Sequence, residues 1–204
     1  MYETAPRYVT ERVKYALIVG GTRGIGKALT ERLIEMGWGV YSTGRKDFDI
    51  SMPRTWKQWG GVHEDMQFDL VVFCAGELRP YTWSRKNLAE YLHSYAVHAA
   101  GPACFLAWGK ERGMFPWWTK VVFVSTVGAI NAGAVDLSYG AAKAALEKMA
   151  KALDEYETWQ VFLVRLDLVN TRMLLQLPTD TLHGRPVLEP EDAAEIILRE
   201  AGEI

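Results

Sequence analysis

Short apolar runs alternate with helical patterns along the chain, and this alternation constrains the fold more than any other feature of the sequence. The runs lie at residues 15–19, 38–43, 69–75, 120–126 and 160–166. Helical periodicity fills the intervals at 25–37, 84–109, 138–157 and 191–201. Strands that are apolar throughout are typical of parallel sheets covered on both faces. The sequence therefore predicts an α/β fold with a doubly wound parallel β-sheet flanked by helices on both faces.

The predicted elements indicate one domain over residues 1–204, because no linker or composition shift interrupts them. Two regions are shorter than such a sheet usually requires. Between the second and third runs there is room for "KDFDIS", as one very short strand, and a helix near 51–59. The chain also ends soon after its last helix, so we expect the final strand of the sheet to be missing.

Charge and composition argue against several classes of protein. The chain has 23 basic and 25 acidic residues and a formal charge of −2, which gives no reason to expect nucleic acid or an anionic membrane as a partner. The first 14 residues lack the apolar core of a signal peptide, and no run approaches the roughly 20 apolar residues that span a bilayer. The histidines show no metal-ligand spacing, so no metal is expected. Two cysteines, read as free thiols, fit a reducing compartment, and we predict a cytoplasmic protein.

The glycine-rich stretch at residues 20–28 matches two nucleotide-binding patterns. A triphosphate loop requires a hydroxyl after its lysine to hold magnesium, and this position is Ala28. A dinucleotide loop requires a strand, then glycines, then a helix, and all three are present around Gly20, Gly24 and Gly26. The helix start would present free N–H groups to a pyrophosphate. We therefore predict a dinucleotide site.

The residues after the second strand indicate which dinucleotide binds. An NAD site usually carries an acidic residue there for the ribose 2′-OH, whereas this chain has Arg45 and Lys46. Arg23 lies inside the glycine loop. Cations at this place suit a 2′-phosphate, so the pattern favours NADP(H), with surface solvation as the alternative.

A tyrosine, a lysine and a hydroxyl form the candidate catalytic set. Tyr139 and Lys143 are four residues apart at the start of a predicted helix, so they share a face. Thr126 lies 13 residues before Tyr139, at the end of an apolar strand, where doubly wound sheets bind ligands. Ser125 is the rival hydroxyl, and because side chains alternate along a strand only one of the two should face the site.

With these motifs in place, the sequence resembles the short-chain dehydrogenase/reductase family over nearly its whole length, as a small, trimmed member with a Rossmann-type sheet. The resemblance rests on an ordered set of motifs: "GGTRGIG" (20–26), "CAG" (74–76), "VSTVGA" (124–129), "YGAAK" (139–143) and "VNTRM" (169–173). It implies an NADP(H)-dependent oxidoreductase that interconverts a carbonyl and an alcohol by hydride transfer. The alternative is a non-catalytic NADP(H)-binding sensor or scaffold.

The resemblance also implies roles for individual residues. Tyr139 matches the acid/base, Lys143 the residue that promotes its ionisation and holds the nicotinamide ribose, and Thr126 the hydroxyl that orients the substrate oxygen. Thr171 matches the contact to the nicotinamide carboxamide. The other cofactor-binding positions implied are Gly20, Thr22, Arg23, Gly24, Ile25, Gly26, Arg45, Lys46, Asp49, Ile50, Cys74, Ala75, Gly76 and Val169.

Some positions depart from the family pattern. His98 stands where the family usually has an asparagine that helps a proton relay, so it is either a catalytic or a structural histidine. The segment 173–178 falls where the family places a substrate lid, and its leucines either line an apolar pocket or pack on the core. Tyr81 and Trp83 are expected at the rim of the same pocket. The resemblance also implies a homodimer rather than a tetramer, formed by the helices at 84–109 and 138–157.

Overall fold

The five predicted apolar runs form one parallel sheet in the computed structural model, which describes residues 12–78, 88–129, 137–177 and 184–204. The strand order is β2-β1-β3-β4-β5. The bounds of the strands are Tyr15–Val19 (β1), Gly39–Thr43 (β2), Leu70–Phe73 (β3), Lys120–Thr126 (β4) and Gln160–Leu166 (β5). The predicted Rossmann-type fold class is confirmed.

The register of the sheet brings the carboxyl ends of the strands to one edge. Val19, the last residue of β1, pairs with Thr43 on one side and with Phe73 on the other. Phe73 in turn pairs with Phe123 in β4. Motifs that directly follow these strands in the sequence are therefore neighbours in space.

Six α-helices cover the sheet among the described residues. They are Gly24–Glu35 (α1), Pro53–Gly61 (α2), Leu88–Tyr95 (α3), Gly101–Glu111 (α4), Leu137–Tyr156 (α5) and Pro190–Glu200 (α6). Alternate residues of β1 belong to different cores: Leu17 packs with residues of α2, α4 and α5, and Ile18 packs with residues of α1 and α6. Because side chains alternate along a strand, this division shows that the sheet is buried on both faces.

The long helix predicted at 84–109 is interrupted by one π-turn, at Ala96–Ala100. Pro102 has no backbone N–H to donate four residues back, so the regular helical ladder cannot continue there. Gly101 is required at the same place, because a Cβ would lie 2.5 Å from the carbonyl oxygen of Ile50. The π-turn carries His98, which it turns into the protein interior.

Two details differ from the sequence prediction. The short strand expected in "KDFDIS" is wrong: residues 44–50 form a turn in which the backbone N–H groups of Asp47 and Phe48 both donate to Gly44 O. A second, two-stranded parallel sheet of Leu168–Val169 (β6) and Val187–Leu188 (β7) was not predicted, because two-residue strands leave no periodic signal. No helix within the described ranges is long and apolar enough to cross a membrane.

We expect Phe105→Ala in α4 to lower the free energy of unfolding by about 3–5 kcal/mol. Phe105 is fully buried, and its ring centroid lies 5.0 Å from that of Phe48 and 5.6 Å from that of Trp56. Truncation would leave a cavity between α2, α4 and the sheet. Denaturant titration measures the change, and Val62→Ala, at a side chain that is 78% exposed, is the control. Equal effects of the two substitutions would contradict this packing.

Candidate functional site

The glycine loop after β1 is pressed against the turn after β3. Gly20 has a φ of +88°, and a Cβ at this position would lie 2.5 Å from the backbone nitrogen of Ala75. The N–H groups of Gly20 and Gly21 both donate to Thr43 O, at 3.1 and 2.9 Å. Glycine is therefore required at position 20 by both conformation and space. The contact also places the predicted residues Cys74, Ala75 and Gly76 beside the loop.

The first turn of α1 has the features of an anion-binding helix end. The helix begins at Gly24, and Arg23 at its N-cap makes no side-chain capping bond. There is no acidic residue in the first turn. Uncapped N–H groups and the positive end of the helix dipole attract an anion, so this end of α1 fits the pyrophosphate of a dinucleotide.

Thr171 closes the opposite side of the glycine loop. Gly24, with a φ of +52°, faces it closely: a Cβ there would lie 3.1 Å from the Thr171 methyl group. Val169 lies in β6, two residues earlier, and is buried. The structure therefore brings the "VNT" segment to the dinucleotide loop, although 145 positions separate residue 171 from residue 26.

The cations predicted to bind a 2′-phosphate differ in whether they form ion pairs with acidic side chains. Arg45 Nη2 lies 2.7 Å from Glu77 Oε2, and Arg45 Nε lies 3.6 Å from Asp49 Oδ2. The hydrogen bond that Arg45 donates to Glu77 raises the pKa of Arg45. Arg23 and Lys46 are exposed, and neither forms an ion pair within the part of the chain that the structure describes. Ile50, the last of the predicted adenine contacts, is 3% exposed and belongs to the core.

Tyr139 lies against His98 at the amino end of α5. The two ring centroids are 4.9 Å apart and the rings are nearly perpendicular, at 88°. His98 is buried, and its Nε2 lies 2.9 Å from the carbonyl oxygen of Glu77. Because a carbonyl oxygen can only accept, Nε2 is the donor in this contact, and Nδ1 is a buried acceptor with no hydrogen-bond partner among the described residues. Burial and the charge of Lys143 lower the pKa of His98 to about 3, so the imidazole is neutral at physiological pH.

Lys143 is one turn further along α5 and is also buried. Its Nζ donates to Val124 O at 2.6 Å and lies 5.9 Å from the ring centroid of Tyr139. Burial lowers the pKa of Lys143 from 10.5 to about 8, while the charge of the Glu147 carboxylate acts in the opposite direction. An ammonium group held near a phenol favours the phenolate.

The two candidate hydroxyls at the end of β4 have different surroundings. Ser125 Oγ donates to Glu147 Oε1 at 2.7 Å and is buried against α5. Arg165, its partner residue in β5, donates to both oxygens of Glu147, at 2.9 and 2.7 Å. Although burial alone would raise the pKa of Glu147, the hydrogen bonds from Arg165 and Ser125 lower it. Thr126 is the last residue of β4 and is half-buried.

Cys74 lies close to this group of charges but has no reactive thiolate. It is partly buried, and desolvation raises the pKa of its thiol to about 12. Gly76 then brings the chain next to His98: a Cβ there would lie 3.0 Å from His98 Cε1 and 3.6 Å from the terminal methyl of Met173. The turn 74–76 therefore joins the glycine loop to the Tyr139 side of the site.

Sequence reasoning missed three charged residues in this region: Glu77, Glu147 and Arg165. Glu147 had a usable signal, because it follows Lys143 by four residues on a predicted helix and must share its face. Arg165 had none, since its pairing opposite Ser125 depends on the register between two distant strands. Glu77 follows β3 and Arg45 follows β2, and these two strands lie on either side of β1. Their contact therefore depends on the strand order, which the sequence does not reveal. Among the residues predicted for the substrate pocket, Tyr81, Trp83 and position 178 lie outside the described residues.

A family model described as the NAD dependent epimerase/dehydratase family matches residues 16–170, three quarters of the chain. The chain belongs to this family. The resemblance of the sequence to the short-chain dehydrogenase/reductase family is thereby confirmed. The proteins of this family are nicotinamide-dependent oxidoreductases. No curated protein sequence matches the chain.

Solved structures of short-chain dehydrogenases share the fold of this family member. A small-chain dehydrogenase in complex with NADPH superposes with a TM-score of 0.80 at 20% identity, covering 93% of this chain and 91% of the other. A short-chain dehydrogenase from Burkholderia cenocepacia in complex with NADP gives 0.75 at 21% identity, with 91% and 82% covered. One from Sphingobium yanoikuyae in complex with NADPH gives 0.79 at 15% identity, with 90% and 82% covered.

We expect Lys143→Met to raise the free energy of unfolding at pH 7, on the order of 1–3 kcal/mol. The folded state binds the Lys143 proton more weakly than the unfolded state, so the buried ammonium opposes folding at pH below about 8. This effect disappears as the pH rises from about 8 towards 10.5. The stability gain of the variant, measured by denaturant titration, should therefore shrink over that interval.

Lys148→Met is the matched control, since Lys148 is exposed on the same helix. Its stability difference from the wild type should not change over the same pH interval. A Lys143→Met protein less stable than the wild type at pH 7, or one with a pH-independent difference, would contradict the assigned burial effect.

Proposed function

We propose that the protein is an NADP(H)-dependent oxidoreductase that interconverts a carbonyl and an alcohol. The observation that carries the proposal is the grouping of Tyr139, Lys143 and His98 at the carboxyl edge of the sheet, beside a glycine loop that fits a dinucleotide. A structural or binding protein has no need of a buried lysine next to a tyrosine, because burying the ammonium opposes folding.

The residues around the glycine loop suit NADP(H). The N–H groups at the start of α1 would hold the pyrophosphate, and Thr171, which lies against Gly24, is proposed to contact the nicotinamide half. Three exposed cations, Arg23, Arg45 and Lys46, lie near the carboxyl end of β2. A bound NADP(H) would supply or accept the hydride. NADP or NADPH is present in the structural neighbours described above.

Proton transfer is proposed to run through Tyr139. Its phenol donates a proton to the forming alcohol, or accepts one from an alcohol that is oxidised. Lys143 favours the ionised phenol through its charge. His98 is neutral at physiological pH, because burial lowers its pKa to about 3. Its proposed contribution is positional: the neutral ring packs against Tyr139 and presents Nδ1 as an acceptor in the site.

Thr126 is the better-supported candidate for orienting the substrate oxygen. Ser125 Oγ is already engaged by Glu147 and the side chain is buried, whereas Thr126, the last residue of β4, is half-buried. The serine, with Glu147 and Arg165, is proposed to anchor α5 to the sheet. This anchoring keeps Tyr139 and Lys143 in register with the end of β4.

We expect Tyr139→Phe to abolish NADPH oxidation with a panel of small aldehydes and ketones while leaving NADPH affinity within about threefold, since the lost hydroxyl serves proton transfer. Binding is followed by energy transfer from tryptophan to the reduced nicotinamide, with ATP–Mg²⁺ as a ligand that should not bind. Turnover retained in the variant would refute the role of Tyr139. A wild type that binds NADPH but turns over no carbonyl would point to a sensor instead.

The exposed side of α3 and α4 supports the proposed homodimer. Leu88, Leu92 and Tyr95 follow one another at helical spacing and are 73%, 60% and 38% exposed. Further along the same side are the small exposed residues Ala100, Cys104 and Ala107. An apolar stripe with a small-residue continuation allows close approach of a second helix. We infer that two copies pair through it.

We expect Leu92→Lys to raise the dimer dissociation constant at least about tenfold, because it places a charge in the centre of an apolar contact. Sedimentation velocity over a concentration series measures the change. Val62→Lys changes an apolar residue of similar exposure outside this side and should leave the dimer intact. A wild type that is monomeric at high concentration would refute the dimer.

A further inference from the structure

The Glu77 carboxylate lies between two basic side chains at the edge of the proposed cofactor site. Oε2 accepts a hydrogen bond from Arg45 Nη2 at 2.7 Å, and Oε1 lies 2.7 Å from His93 Nε2. The Glu77 side chain is 15% exposed, against 58% for Arg45. The carboxylate is therefore the more fixed and more desolvated member of the pair.

The backbone around Glu77 holds this carboxylate in place. Gly76 brings the chain against His98, and the carbonyl oxygen of Glu77 accepts a hydrogen bond from His98 Nε2 at 2.9 Å. Glu77 also directly follows the turn that packs on the glycine loop. Its carboxylate is thus an anion built into the wall of the cleft.

Arg45 has a further acidic neighbour, Asp49, but that contact is weaker. The Arg45 Nε to Asp49 Oδ2 distance is 3.6 Å. The other oxygen of Asp49 is occupied by the N–H and hydroxyl of Ser51, at 2.9 and 2.6 Å. Glu77 is therefore the principal anion on Arg45 among the described residues.

We propose that Glu77 is a specificity-determining residue that competes with the cofactor 2′-phosphate for Arg45. The inference rests on the proposed binding of NADP(H) and concerns how strongly this cofactor is preferred. The N–H of Nη2 that Arg45 donates to Glu77 is not available to a phosphate, and the carboxylate neutralises part of the guanidinium charge. A second anion near the phosphate also repels it. NAD(H) has a hydroxyl at this position and meets neither effect, so Glu77 reduces the preference for NADP(H) over NAD(H).

The test compares the wild type with Glu77→Gln, which removes the charge and keeps the shape. The ratio of the dissociation constants for NADH and NADPH should rise about fivefold. A larger increase is not expected, because Arg45 is largely exposed and solvent screens its charge. Adenosine 2′,5′-bisphosphate and 5′-AMP are used as a second pair of probes, since they contain the 2′-phosphate difference without the nicotinamide. Isothermal titration calorimetry at fixed ionic strength gives all four constants.

Glu195→Gln is the matched control. Glu195 forms a similar pair with Arg32, in which Arg32 Nε lies 2.6 Å from Glu195 Oε1. Glu195 belongs to α6, which covers the opposite face of the sheet from α3, the helix that carries His93. This variant changes the net charge equally and should leave the ratio unchanged. In an Arg45→Gln background, Glu77→Gln should have much less effect, because the competed cation is absent.

The outcomes separate this inference from the function on which it rests. An unchanged or lower NADH/NADPH ratio in Glu77→Gln, with both cofactors bound, would overturn the role of Glu77 and leave the proposed function standing. The same increase in the Arg45→Gln background would also overturn it, because the effect would not pass through Arg45. Failure of the wild type and of Glu77→Gln to bind either nicotinamide would overturn both.

Discussion

The crossover between β1 and β3 is the constraint on which the arrangement of the site depends. The chain runs from β1 outward to β2, then returns across β1 to form β3. In parallel sheets, ligands bind in the crevice that forms where the strand order reverses. Here that crevice is narrow, since Gly20 packs directly against Ala75. Its geometry decides which loops meet: the glycine loop, the 74–76 turn and, through Gly24, the Thr171 segment.

The electrostatics of the site follow from burial on the α5 side of the sheet. Lys143 and His98 are both buried, and burial lowers the pKa of each. For the histidine the result is a neutral ring whose Nδ1 has no hydrogen-bond partner among the described residues. For the lysine the result is an ammonium with a pKa of about 8, so it loses its proton at a lower pH than an exposed lysine. Glu147 lies one turn beyond and is held by Ser125 and Arg165, so α5 is tied to two strands by charge-assisted bonds.

A second group of charges lies on the cofactor side and has a different character. Glu77 contacts Arg45, which follows β2, and His93, which lies in α3. It thereby links the end of β2 to α3. Both partners are partly exposed, so solvent screens these interactions more than those around Lys143. The buried group therefore suits a fixed catalytic geometry. The more exposed group suits adjustment between cofactors that differ by one phosphate.

The sequence by itself determined the strands, the doubly wound class, the glycine loop and the Tyr139/Lys143 pair, because each depends on local periodicity or on spacing within one element. It also restricted the choice between Ser125 and Thr126 through strand alternation. Only the tertiary structure decided that Ser125 meets Glu147 and Arg165, that His98 is turned inward by a π-turn at Pro102, and that Arg45 meets Glu77. These contacts join residues from different elements, and the strand order and register that bring them together are fixed by burial of the whole sheet and not by any single segment.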